Sequence, residues 1–305
     1  MTQFRNSLIA GKKLITVEIT PPKGSDMTTM IERVRPLVPY VDAINVPDSQ
    51  RAMLKMSSMA ASKILQDELG VDTVWQLTGR DRNVLALQAD LMGGWALGLR
   101  NVLALTGDPI AIGDQSDVAK QVSHVEALRL LELIKNLNDT QDAAGNPLKL
   151  GGTNFCYGAA LNPNRMTRTA QQHRLEYKIR LGVQYFQTQP VYDAEVVREA
   201  KQLVQELSAS YENPTPKLMI GIIPPKSADF ARFLNAKLPG VHIPENIVEL
   251  LEKSNDPVKE SMAYCADLVQ AFWEHADGFH FMPVSMEKRA PELLEMCLKH
   301  KLPLG

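Results

Sequence analysis

The sequence predicts a closed α/β barrel, a single (β/α)8 or TIM barrel spanning residues 1–305 with an extra helical segment before its last strand. Three observations carry that expectation. Short apolar runs rich in β-branched residues recur along the chain, bounded by Gly or Pro, as buried parallel strands require. Amphipathic stretches at helical spacing separate most of them. Two of the runs end on an acid, Glu18 and Asp108, and the C-terminal strand ends are where such a barrel gathers its functional side chains.

Strands are expected at 14–20, 41–46, 72–78, 101–105, 152–159, 184–188, 217–223 and 278–282. Eight alternations favour closure over an open sheet. Between them, Met27, Met30, Ile31 and Val34 form one apolar stripe, Val84, Leu87, Leu91 and Trp95 a second, and Val196, Ala200, Leu203, Val204 and Leu207 a third. These are core faces rather than cofactor contacts. Ser123 with Glu126 reads as a capping box opening the helix after the fourth strand. Gly98 and Gly182 fall where helices end and turn back. The polar stretch 138–147 reads as a surface connection on the side away from the strand C-termini, and 236–276, broken by Pro239, Gly240 and Pro244, is long enough for an additional helix.

Composition narrows the function. A net charge of -2 argues against a nucleic-acid binder, which concentrates Lys and Arg. No segment approaches the uncharged apolar length of a membrane span and no signal-like region opens the chain, so a cytoplasmic protein is expected. Cys156, Cys265 and Cys297 are scattered without metal-ligand spacing, and no metal site is expected. His124, His173, His242, His275 and His300 likewise show no ligand spacing, and Rossmann, P-loop, nucleophile-elbow and zincin motifs are absent.

The polar residues at the predicted strand ends are Glu18, Asn45, Asp48, Gln76, Thr78, Thr106, Asp108, Asn162, Thr188, Gln189, Lys226 and His280. Glu18, embedded between Val17 and Ile19, suits general-acid work, against an internal ion pair as the plain alternative. Asp108 follows Gly107, which permits close approach to a ligand, against a turn cap. Gln189 can donate and accept at a heterocycle edge, against a barrel-end hydrogen bond. Arg80 and Arg82 stand at a helix start where an anion could bind or where the pair is simply solvated. Lys178, inside an amphipathic helix, reads as a surface lysine, and His280 as a satisfied barrel histidine.

The ordered motifs Val17-Glu18-Ile-Thr-Pro21-Pro22, Gln76-Leu-Thr78, Asn101 to Asp108, Gly158-Ala-Ala160, Thr188-Gln189-Pro-Val-Tyr-Asp193 and Gly221-Ile-Ile-Pro224 resemble the methylenetetrahydrofolate reductase family, in its short microbial, acetogen-like form. The resemblance implies an oxidoreductase of one-carbon metabolism. It would reduce 5,10-methylenetetrahydrofolate to 5-methyltetrahydrofolate with a bound flavin, FAD rather than FMN. It implies Glu18 as the acid that opens the methylene bridge, Asp108 between pterin and flavin, and Gln189 on the pterin. Gln76, Thr78, Thr106, Gly107 and Asp108 would line the flavin ring, and Ala159, Ala160 and Lys178 would hold its adenylate and phosphate portions. The electrons would come from NAD(P)H or a reduced redox partner protein, an iron-sulfur cluster would belong to a separate partner subunit, and a homo-oligomer or complex is expected. The alternatives are a flavin-free folate-dependent one-carbon transferase and a non-catalytic flavin barrel serving an electron-transfer complex.

Overall fold

Eight parallel strands pair in chain order and the last closes on the first: β1 (Leu14–Glu18), β2 (Ala43–Val46), β3 (Thr73–Thr78), β4 (Asn101–Leu105), β5 (Cys156–Leu161), β6 (Tyr185–Pro190), β7 (Lys217–Ile222) and β8 (Gly278–Phe281). The computed structural model describes residues 2–122, 125–166, 169–238 and 240–299. The closing seam runs Leu14 beside Gly278 through Val17 beside Phe281. Around the barrel lie α2 (Thr28–Val34), α3 (Ser58–Leu69), α4 (Val84–Ala96), α5 (Ala127–Asn138), α6 (Thr169–Arg180), α7 (Ala194–Ser208), α8 (Ala228–Lys237), α9 (Glu245–Lys253), α10 (Pro257–Phe272) and α11 (Ala290–Leu298), while α1 (Gln3–Ile9) precedes β1. The predicted extra helical segment before the last strand is present as α9, preceding α10. No helix among the described residues is long and apolar enough to cross a membrane.

Alternation along the strands divides the side chains into two cores. Ile15, Val17, Ile44, Trp75, Val102, Ala159, Phe186 and Ile220 face outward and pack in the layer between sheet and helices. Leu14, Ala43, Val74, Leu103, Cys156, Tyr185 and Met219 face inward and form a floor with Phe4 and Leu8 of α1. Phe4 and Tyr185 meet edge to face at 5.3 Å, so α1 plugs the end of the barrel remote from the strand C-termini. Above the floor the interior turns polar.

Among the strand starts, that of β5 departs furthest from the sequence expectation. β5 begins at Cys156 rather than 152, because Asn138, at the end of α5, ties the preceding residues back to its helix: its Oδ1 accepts from Thr153 Oγ1 at 2.7 Å and from Phe155 N at 2.9 Å. On α7 the buried face carries Val197 rather than Val196, together with Ala200, Val204 and Ser208. The capping box cannot be followed, since Ser123 and His124 lie outside the described residues, as do Pro239 and His300. Glu126 is the N-cap of α5 but makes no side-chain capping bond to the described residues. Thr106 Oγ1 instead accepts from Ala127 N at 3.1 Å. Gly98 and Gly182 adopt positive φ of 95° and 81° at helix ends, as expected.

Trp75 sets the contact of α4 with the sheet. A Cβ on Gly94 would lie 2.6 Å from its ring, whereas one on neighbouring Gly93 meets nothing among the described residues within 4 Å. Gly94→Ala is therefore expected to destabilise by about 1–3 kcal/mol through overpacking, and Gly93→Ala to stabilise by about 0.5–1 kcal/mol through helix propensity. Urea midpoints of the two variants, moving in opposite directions, check both signs.

Candidate active site at the barrel mouth

The polar upper interior is built from paired side chains. Asn45 and Gln187, on opposite sides of the barrel, exchange amide hydrogen bonds of 2.6 and 3.1 Å. His280 is buried with its Nδ1 3.0 Å from Thr16 Oγ1, the satisfied barrel histidine the sequence suggested. One layer higher, Gln76 Nε2 donates to Glu18 Oε2 at 2.9 Å, and His280 Nε2 stands 3.7 Å from the same oxygen. Glu18 keeps 18% of its side-chain surface exposed, so it is an acid opening on the mouth rather than one sealed inside a strand. Its Oε1 takes no hydrogen bond from the described residues.

Two clefts share the mouth. One, of about 370 Å³, is lined by Gln76, Thr78, Thr106, Gly107, Asp108, Ala160, Lys178 and Gln189 among others. The other, of about 400 Å³, holds Glu18. Gln50 lines both and forms the wall between them, its Nε2 donating to Thr20 Oγ1 at 2.8 Å and its buried Oε1 without a partner among the described residues. Glu18 and Asp108 thus share the mouth but face different clefts, and the Gln76 side chain spans from the first cleft to Glu18.

The wall stands on strained backbone. Ser49, Arg51 and Ala52 all have positive φ, 48°, 56° and 53°, a region costly for residues with a Cβ and found mostly where surrounding contacts impose it. Those contacts are present. Arg51 N donates to Asp108 Oδ2 at 2.6 Å, Arg80 Nη1 donates to Ser49 O at 3.1 Å, and Gly113 packs so close to Ala52 O that a Cβ there would lie 2.1 Å away. Gly107, at φ 88°, lets the Asp108 backbone cross Thr78 and Arg80; a Cβ would sit 2.9 Å from Arg80 Cβ.

Several sequence assignments change. Ala159 has no exposed surface and faces the helices, since alternation sends it outward while Ala160 lines the cleft. Lys178 is not a surface lysine: it is largely buried, donates to Ala160 O at 2.7 Å, and lines the first cleft beside Arg174, one helical turn earlier. Burial first, and the Arg174 charge second, lower its pKa to about 8. Arg80 and Arg82 are neither helix starts nor free: α4 begins at Val84, Arg80 pairs with Asp81 at 2.6 Å, and Arg82 with Asp48 at 2.7 Å and Asp90 at 2.9 Å. Asp48 is spent on Arg82 and on Thr78, whose N–H and hydroxyl reach its Oδ2 at 3.0 and 2.9 Å. Lys226 lies over the Phe230 ring, 5.3 Å from its centroid, and Thr188 Oγ1 accepts from Gly221 N at 2.8 Å. Gln189 is exposed between buried Thr188 and Pro190, where the β6–β7 register shifts; such an irregularity re-aims a side chain, here into the mouth.

Sequence reasoning missed Gln50, Arg51 and Arg174. Arg174 was legible in principle, as two cations four residues apart share a helix face. Nothing in the sequence signals a run of non-glycine residues at positive φ.

The chain spans 42% of the length of a curated relative from Caenorhabditis elegans named "Probable methylenetetrahydrofolate reductase (NADPH)", to which it is 24% identical over 299 residues, 93% of its own length. A solved structure titled "Uncharacterized protein from Clostridium thermocellum binds two copies of 5-methyl-5,6,7,8-tetrahydrofolic acid" superposes with a TM-score of 0.68 at 16% identity, covering 99% of this chain and 100% of the other, a likeness of fold. The sequence also matches the profile described as methylenetetrahydrofolate reductase over residues 3–297. With the match running from α1 to α11, this chain belongs to the methylenetetrahydrofolate reductase family.

Proposed function

We propose that this chain is a single-domain reductase that converts 5,10-methylenetetrahydrofolate to 5-methyltetrahydrofolate with FAD in the cytoplasm. The observation that carries the reading is an open acid, Glu18, held by Gln76, whose side chain reaches it from the neighbouring cleft that presents Asp108, Gln189 and Lys178.

The cleft's donor set suits a flavin nucleotide. Lys178 offers three N–H donors and spends one on Ala160 O, so a phosphate would meet a desolvated ammonium with bonding capacity to spare. Arg174 beside it, only loosely paired with Glu126 at 3.6 Å, adds a second cation, and the pair favours the pyrophosphate of FAD over FMN. Thr78, Thr106, Gly107 and Gln76 would lie along the ring system. When bound and reduced, the flavin supplies the hydride; NAD(P)H or a reduced partner protein replenishes it.

The protein's own groups manage the proton and the charge. Glu18 delivers a proton to N10 as the methylene bridge opens, with Gln76 holding the carboxyl in place. The negative Asp108 stabilises the cationic iminium so formed, and Gln189 orients the pterin edge by donating and accepting. One hydride and one proton added to the substrate give the methyl product, so the atoms balance.

Glu18→Gln keeps the shape and the bond from Gln76 but removes the transferable proton. It is expected to retain flavin while folate-driven reoxidation of the reduced flavin slows by about 10²–10⁴-fold, the usual worth of a positioned acid. Stopped-flow absorbance measures this, and an unaltered rate removes Glu18 from the mechanism.

Lys178 makes flavin affinity depend on pH. Its pKa is lowered to about 8 in the free protein, so it is charged below that value and neutral above it. A phosphate binds the charged form, and binding above pH 8 must take up a proton. Affinity is therefore expected to be flat below pH 8 and to fall about tenfold per pH unit above it, as one linked proton requires. Titration of flavin fluorescence across this range checks the slope, which Lys178→Met is expected to abolish.

A further inference from the structure

We propose that the closed end of the barrel, remote from the mouth, carries a second ligand site, in which Arg5 and Arg100 bind the phosphate group of a small phosphorylated molecule. The inference is independent of the flavin and folate reading above, since neither arginine lines a mouth cleft.

The site is a cleft of about 320 Å³ lined by Thr2, Arg5, Trp95, Arg100 and Asn154. Arg5 lies on α1, the helix that plugs the barrel, and Trp95 lies in the last turn of α4. Arg100 directly precedes β4, and Asn154 stands just before β5. The cleft therefore sits at the N-terminal ends of the strands, where segments far apart in the chain bring two guanidinium groups together. Its described lining contains no acid, and neither arginine has an acidic partner among the described residues. Asp72, on the same end of the barrel, is turned to the α1 backbone and accepts from Phe4 N at 2.8 Å.

Both side chains are fixed in place with donors to spare. The Arg100 guanidinium lies 3.8 Å from the centroid of the Trp95 ring, and its Nη1 donates to Trp95 O at 2.6 Å and Leu99 O at 2.9 Å. Its Nε and Nη2 make no bond among the described residues, and this is an edge of the fork that can grip an oxyanion through two parallel bonds. Arg5 donates from Nη1 and Nη2 to Asn154 O and Oδ1 at 3.0 and 3.1 Å, while its Nε is buried with no hydrogen-bond partner among the described residues. A buried donor left unsatisfied is costly, and a bound acceptor relieves it. Burial lowers the Arg100 pKa with no acid to offset it, as expected of a cation whose counter-charge comes from a ligand.

Charge and shape choose among anions. A carboxylate brings one charge and two oxygens, whereas a phosphate monoester brings about −1.5 to −2 charges at pH 7 and three acceptor oxygens, the closer match to two arginines. The cleft is near the lower limit of the roughly 300–1,000 Å³ of ligand pockets, which fits a phosphate on a short organic body.

Equilibrium dialysis of inorganic phosphate and of phenyl phosphate against the intact protein at low salt tests the site. Saturable binding is expected in the wild type and equally in Lys178→Met protein, which lacks the lysine of the flavin cleft. Affinity for phenyl phosphate is expected to fall about tenfold from pH 7 to pH 5, because the ester gains its second proton near pH 6 while both arginines stay charged. Arg100→Gln and Arg5→Gln are each expected to weaken binding about tenfold or more. Arg5→Gln, which removes only solvent-exposed bonds to Asn154, keeps the test open if Arg100→Gln does not fold. Tighter binding of phenyl phosphate than of inorganic phosphate identifies an ester as the ligand, and equal affinity identifies free phosphate. Absence of saturable binding, affinity that survives the substitutions, or affinity for the ester that is flat between pH 7 and pH 5 overturns the proposal.

Discussion

Everything at the mouth follows from one constraint: in a closed parallel barrel every second strand residue must go inside, and the inside must be filled. The floor meets it with apolar volume, Phe4 and Tyr185 above all. Gly158 leaves room for this, since a Cβ there would lie 2.4 Å from the Tyr185 ring. Higher up the same periodicity brings polar residues inward, and burial obliges them to pair. Asn45 pairs with Gln187 and Thr16 with His280. The last pair in this stack, Gln76 with Glu18, is where the interior reaches solvent, and there one carboxylate oxygen is left over. The candidate acid is thus the open end of an otherwise saturated ladder of hydrogen bonds.

The same saturation explains which strand-end residues are not available for chemistry. Asp48, Thr78, Arg80 and Arg82 stand in the right place, yet they spend their bonds on one another and on the loop after β2. Their product is the strained segment 49–52, which carries Gln50 between the two clefts. Asp108 belongs partly to this scaffold, because one of its oxygens fixes Arg51. A ligand reaching Asp108 therefore meets a carboxylate already oriented by the wall. Electrostatic groups held in place before the reaction cost no reorganisation during it.

The barrel itself was legible in the sequence because parallel strands buried on both faces read as apolar runs, and the strand ends followed from their termini. β5 was misplaced because the segment Gly151 to Phe155 resembles a strand start in composition, while its polar groups are used by Asn138. Ala159 and Ala160 could not be told apart without the register that sends one outward and one inward. Lys178 follows Tyr177 and precedes buried Ile179 on α6, and a stripe pattern cannot show that its long stem reaches the carbonyl of Ala160. The division of the mouth depends on backbone at positive φ, for which residues such as Ser49 and Arg51 give no signal.

The central claim is that reducing equivalents pass to a folate at this mouth. Anaerobic mixing of the photoreduced, FAD-loaded protein with 5,10-methylenetetrahydrofolate tests it most directly, by following the visible flavin band and counting the methyl product. Return of the oxidised band with one methyltetrahydrofolate formed per flavin is the expected result. A protein that binds the folate yet leaves its flavin reduced, or that takes up no flavin, contradicts it.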